Sequence, residues 1–129
     1  MKRITFEEFY SRLKKINFDR FDLIVAIGSG GIIPAGLIQH ILKIPLDILW
    51  INYRDENNKI HHDQPKLLKE FKEIKNKNIL LVDDVSRTGS TLKKAKEIIK
   101  KNKIKTFVFN GNADYNIINQ EECVLLPWK

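Results

Sequence analysis

The sequence predicts an α/β fold, a parallel sheet flanked by helices, within a single domain spanning residues 1–129. Three observations carry this. Short apolar runs alternate with segments of helical period. Two of the runs end in loops rich in glycine or hydroxyl residues, each leading into a helix. A chain of 129 residues with 43% hydrophobic and 30% charged residues is sized and composed for one globular unit, too long for a peptide and too short for two ordinary domains.

The elements follow in order. Behind Thr5, residues Phe6, Phe9, Tyr10, Leu13 and Ile16 recur at helical spacing, and Thr5 with Glu8 has the spacing of a capping box. Asp22 to Ile27 is a continuous apolar run that suits a strand buried on both faces, and it ends in Gly28-Ser29-Gly30-Gly31. A helix is expected from about Pro34 to Leu42, with the proline tolerated in its first turn. A second strand covers Asp47 to Ile51. The polar, aperiodic stretch Asn52 to Gln64 then reads as a long loop of the kind that is usually functional. Leu67, Leu68, Phe71 and Ile74 return to helical spacing and predict a helix over Pro65 to Ile74. Ile79 to Val82 is the third strand, Ser90 to Lys101 a helix, Thr106 to Phe109 the fourth strand and Cys123 to Leu126 a short fifth.

Composition narrows the function. Lys and Arg number 23 against 16 Asp and Glu, a net charge of +7, which favours anionic partners without choosing among them. The lysines from Lys93 to Lys105 alternate with Leu92, Ala95, Ile98, Ile99 and Ile104 and form the solvated face of a helix. Neither aromatic platforms nor a helix-turn-helix pattern accompanies them, so no nucleic-acid partner is expected. No apolar run reaches the length needed to cross a bilayer, so no membrane association is expected. Met1 to Glu8 turns acidic before an apolar stretch develops, which predicts a cytoplasmic site of action. The single Cys123 reads as a small hydrophobe, and His61-His62-Asp63 as a solvated loop whose adjacent side chains diverge.

Two loops stand at carboxyl ends of predicted strands, where open α/β sheets bind ligands. In Gly28 to Gly31, glycine lets a ligand approach the amides closely, and the following helix start favours an anion. The loop departs from the dinucleotide fingerprint at Ile33, and Ile27 stands where a nucleophile elbow needs glycine. The second loop, Val82-Asp83-Asp84-Val85-Ser86-Arg87-Thr88-Gly89-Ser90-Thr91, delivers two adjacent carboxylates and then three hydroxyls around a glycine at a helix start. A phosphate on one side, and a diol or metal on the other, fits that arrangement.

The segment Ile79 to Leu92 resembles the phosphoribosyl-pyrophosphate (PRPP) signature of type I phosphoribosyltransferases: four hydrophobic residues, an acidic pair and T-G-x-T. Ala26 to Ala35 resembles the pyrophosphate loop of the same family, closest in layout to its bacterial xanthine-guanine branch. The resemblance implies a Rossmann-like sheet with a small hood. It implies a magnesium-dependent glycosyltransferase of nucleotide salvage that moves a phosphoribosyl group from PRPP to a nitrogenous base, of purine type or related, and releases pyrophosphate. A PRPP- or nucleotide-binding regulatory protein is the alternative.

By the same resemblance Asp83 and Asp84 hold the ribose hydroxyls and are the candidate Mg²⁺ ligands, and together with Arg87 they make the catalytic set. Val85, Ser86, Arg87, Thr88, Gly89, Ser90 and Thr91 surround the 5′-phosphate, and Ser29, Gly30 and Gly31 the pyrophosphate. Tyr53 and Arg54 open the mobile catalytic loop, and a homo-oligomer, a dimer, is implied. From the residues themselves, Val124 is a candidate base contact, and Trp128 either caps the base or closes the core. Two departures matter. Ser29 stands where the purine branch usually has a basic residue, and Arg87 where the 6-oxopurine enzymes place an acidic general base.

Overall fold

The computed structural model describes residues 2–52, 66–121 and 124–128. Their elements, in chain order, are β1 (Lys2–Arg3), α1 (Phe6–Lys14), β2 (Leu23–Gly28), α2 (Ile32–Leu42), β3 (Leu46–Asn52), β4 (Lys66–Leu67), β5 (Asn78–Ser86), α3 (Ser90–Ile98), β6 (Lys103–Gly111), β7 (Tyr115–Ile118) and β8 (Val124–Leu125). Five strands form a parallel sheet in the spatial order β3-β2-β5-β6-β7, and β4 extends it antiparallel at the β3 edge. The expected α/β class and parallel sheet are therefore present.

Strand periodicity sorts the core into two layers. Ile24 and Ala26 of β2 with Leu80 and Val82 of β5 face Phe9 and Leu13 of α1 and Ala35 and Ile38 of α2. Leu23, Val25 and Ile27 of β2 with Ile79 and Leu81 of β5 face Leu92 and Ala95 of α3. Because β2 and β5 are covered on both sides, the runs Leu23 to Ile27 and Ile79 to Val82 are apolar at every position, as an internal parallel strand must be. Register then sets the chemistry, since Gly28 pairs with Trp50 and Ser86 with Gly111, so the functional loops leave the sheet at one end.

Local signals explain the helix starts. Thr5 Oγ1 accepts from the Glu8 N–H at 3.1 Å, so the predicted cap of α1 forms. Pro34 lies in the first turn of α2, where its missing N–H costs nothing.

Two expectations need correction. The helix over Pro65 to Ile74 is not formed in its described part: Lys66–Leu67 is strand and no helix follows before β5. The Leu68 N–H donates to Trp50 O at 2.9 Å, so this backbone is satisfied by β3 instead of by its own turn. Leu67, Phe71 and Ile74 still pack on the α3-side core, which accounts for their apolar spacing, while Leu68 is 51% exposed. Val124–Leu125 is a strand as expected, but it pairs with Lys2–Arg3 in a separate two-stranded sheet.

Finally, β7 has no counterpart among the expected elements. Parallel neighbours ordinarily need a crossover of about a dozen residues, whereas residues 112–114 alone return the chain beside β6. Asp114 makes this possible: its carboxylate accepts from the Thr106 N–H at 2.8 Å and hydroxyl at 3.1 Å, and its own N–H donates back to Thr106 Oγ1 at 3.1 Å.

Candidate active site at the carboxyl ends of β2 and β5

The acidic pair belongs to the strand itself. β5 continues through Asp83, Asp84, Val85 and Ser86, so successive side chains leave alternate faces of the sheet. Asp83, next in the series Ile79 and Leu81, is only 7% exposed. Its Oδ1 accepts from the Asp84 N–H at 2.8 Å, and Asp84 Oδ1 accepts from the Val85 N–H at 2.7 Å. Burial, first, and the neighbouring Asp84 carboxylate, second, hold the Asp83 carboxyl well above the usual carboxylate range. A buried acid in that condition gains from any cation or hydroxyl donor that reaches it.

The two loops singled out in the sequence meet here. A Cβ on Gly30 would lie 2.6 Å from Asp84 Oδ2, so the glycine loop rests directly against the acidic pair. A Cβ on Gly31 would lie 2.3 Å from the backbone oxygen of Val82 and 2.9 Å from that of Ile27, which makes glycine obligatory where the loop crosses β2 and β5. The Gly28–Ser29 peptide is cis. Gly31 caps α2 without a side-chain bond; the Ile32 N–H donates to Ser29 O at 3.1 Å and Pro34 has no N–H, so in this first turn the Ile33 amide is the one left for a ligand.

The hydroxyl turn lies beyond Ser86. Gly89 caps α3 in the left-handed region at φ 82°, a conformation that other residues resist. Thr88 Oγ1 accepts from the Ser90 N–H at 3.2 Å and donates to Ser90 Oγ at 3.0 Å, so the two hydroxyls form one donor-rich corner at the helix start.

Beside this turn is a cavity of about 240 Å³, lined by Val85, Ser86 and Arg87 on one side and by Asn110, Gly111 and residues 119–121 on the other. Asn110, almost fully buried, accepts from the Gln120 N–H at 2.9 Å and so positions that far wall. Sequence reasoning missed Asn110 and Gln120. The available signal was a polar side chain inside an apolar strand, at the carboxyl end where ligands bind.

The structure thus brings together Ser29, Gly30, Gly31, Asp83, Asp84 and the turn from Val85 to Thr91. It places Trp128 elsewhere, against Phe9 and Phe109 with ring centroids 5.8 and 5.5 Å away, and Val124 in the pairing of the chain ends; neither lines the cavity. Tyr53, Arg54, His61-His62-Asp63 and Cys123 lie outside the described residues. No group of three or more metal-ligating side chains occurs among the described residues, and no helix among them is long and apolar enough to cross a membrane.

Residues 8–110 match the protein family described as the phosphoribosyl transferase domain. Among solved structures, a purine phosphoribosyltransferase from Pyrococcus horikoshii superposes with a TM-score of 0.81 at 26% identity, over 99% of this chain and 93% of that one. Among curated proteins, a ribose-phosphate pyrophosphokinase of Mycoplasma genitalium is 29% identical over 99 residues, covering 71% of this chain and 28% of its own length. An orotate phosphoribosyltransferase of Sulfurisphaera tokodaii is 34% identical over 87 residues, covering 67% of this chain and 40% of its own. The chain therefore spans less than half the length of these two curated relatives.

Proposed function

The chain belongs to the phosphoribosyl transferase domain family, and from that premise we propose that it transfers the phosphoribosyl group of PRPP to a nitrogenous base and releases pyrophosphate. The observation that carries the reading is the contact of the Gly30 backbone with Asp84. It brings the glycine loop against the acidic pair, from which the chain runs directly into the turn from Val85 to Thr91. In the reaction the C1′–O bond to pyrophosphate breaks, the C1′–N bond to the base forms, and positive charge develops on the ribose between these events.

Asp83 and Asp84 hold the ribose hydroxyls. The turn of Val85, Ser86, Thr88, Gly89, Ser90 and Thr91 holds the 5′-phosphate, and the loop of Ser29, Gly30 and Gly31 the pyrophosphate. The base sits in the cavity beside Arg87. A guanidinium stays protonated at physiological pH, so Arg87 serves as a paired donor to an acidic base or to the ligand's phosphates, not as a proton acceptor.

Asp83 and Asp84 would hold Mg²⁺, a hard cation that takes carboxylate and phosphate oxygens. When bound, it neutralises charge on the leaving pyrophosphate. A homodimer is part of the same proposal. Incubation with PRPP, Mg²⁺ and a panel of bases tests the reading: pyrophosphate is released with at least one base, and release with none, together with no PRPP binding, overturns it.

A further inference from the structure

The glycine loop that is proposed to cradle pyrophosphate carries no cation, since Gly28, Ser29, Gly30 and Gly31 are all neutral, and it lies against the carboxylate of Asp84. Besides Mg²⁺, a ligand bearing several negative charges gains from a positive side chain there. The structure offers one by way of Trp50. Trp50 pairs with Gly28 across β3 and β2, and a Cβ on Gly28 would lie 2.7 Å from Trp50 Cε3, so the indole is pressed onto the loop backbone.

Just beyond β4, the Leu68 N–H donates to Trp50 O at 2.9 Å and pins the chain beside that tryptophan. The next residue, Lys69, then places its Nζ 5.2 Å from the indole centroid. The electron-rich face of the ring attracts the ammonium. Lys72, three residues on, turns instead to Asp47 at 3.3 Å. Taken together, these contacts link the Lys69 charge to Gly28 through one indole ring. The lysine is exposed and its four-carbon stem is flexible, so it can swing onto an anion in the loop.

We propose that Lys69 is the cation of the pyrophosphate site, carried to the glycine loop by Trp50. The inference rests on the phosphoribosyl-transfer reading, and it adds a binding residue from a segment where the sequence predicts only a helix.

Isothermal titration of inorganic pyrophosphate with Mg²⁺, and separately of ribose 5-phosphate, into wild type, Lys69→Met and Lys69→Arg tests it. Lys69→Met weakens pyrophosphate about tenfold or more, since a full charge is lost near the anion. It leaves ribose 5-phosphate within twofold, and Lys69→Arg retains most of the pyrophosphate affinity. Lys69→Met with wild-type pyrophosphate affinity, or with both ligands weakened alike, overturns the inference. Wild-type protein that binds ribose 5-phosphate but not pyrophosphate also overturns it, whereas wild-type protein that binds neither overturns the phosphoribosyl reading beneath it.

Discussion

Replacing Gly31 with alanine adds one methyl group at the point where the glycine loop crosses β5 at Val82. That methyl would sit 2.3 Å from Val82 O, 2.9 Å from Ile27 O and 3.0 Å from Val82 C, all backbone atoms of the two central strands. No side chain can rotate away, so the loop itself must move. Moving it strains the Gly31 N–H to Ile27 O bond of 2.8 Å and the Ala35 N–H to Gly31 O bond of 3.0 Å. Overpacking costs about 1–3 kcal/mol, and weakening of two backbone bonds about 1 kcal/mol each if both are lost. A loss of about 2–4 kcal/mol is expected, or a fall in Tm of roughly 10 °C for a chain of this size. Gly36→Ala is the control: it lies inside α2 with nothing within 4 Å of its Cβ position. It should gain roughly 0.5–1 kcal/mol from helix propensity. Thermal unfolding by calorimetry reads both variants. Gly31→Ala with wild-type Tm would refute the close crossing of loop and strand.

Three other expectations follow from the same site. Gly89→Val must enter a left-handed conformation at φ 82°, costing about 1–2 kcal/mol, and it will weaken ribose 5-phosphate in titration calorimetry. Asp83→Asn will raise the Tm at pH 7.5 and leave it unchanged near pH 4. The raised pKa means that the folded chain holds the proton more tightly than the unfolded one. The stability is thus full below the unfolded value of about 3.9 and is lost as pH rises through the folded value, at about 1.4 kcal/mol per unit. A Tm gain from Asp83→Asn that is absent at pH 7.5, or the same at both pH values, contradicts this account. Guanine, xanthine and hypoxanthine will be poor substrates because Arg87 cannot accept their proton, and Arg87→Asp will recover some of that activity. Steady-state turnover of wild type on guanine above about 1 s⁻¹ would show that the position is misread.

Much of this was legible in the chain because β2 and the first half of β5 are buried on both faces and cannot be anything but apolar. Gly30 and Gly31 were legible because close backbone approach to Asp84 and Val82 leaves only glycine. What failed was governed by distant partners. Leu67, Phe71 and Ile74 have helical spacing, but pairing of Leu67 with Ile51 decides their conformation. The apolar run predicts that β5 stops at Val82, yet Asp83, Val85 and Ser86 remain in register with β6 as far as Gly111. β7 depends on Asp114 meeting Thr106 across the return, a contact without a local signature. Lys69 was hidden for the same reason, since its relation to Gly28 passes through Trp50.

Titration of PRPP with Mg²⁺ into wild type and into the double variant Asp83→Asn, Asp84→Asn tests the central claim most directly. Asparagine preserves the shape of both side chains and removes both charges, so the fold is expected to persist by circular dichroism. Wild type binds PRPP and the double variant does not. Equal affinity in the two proteins, with both folded, would contradict the assignment of the acidic pair to the ribose of PRPP.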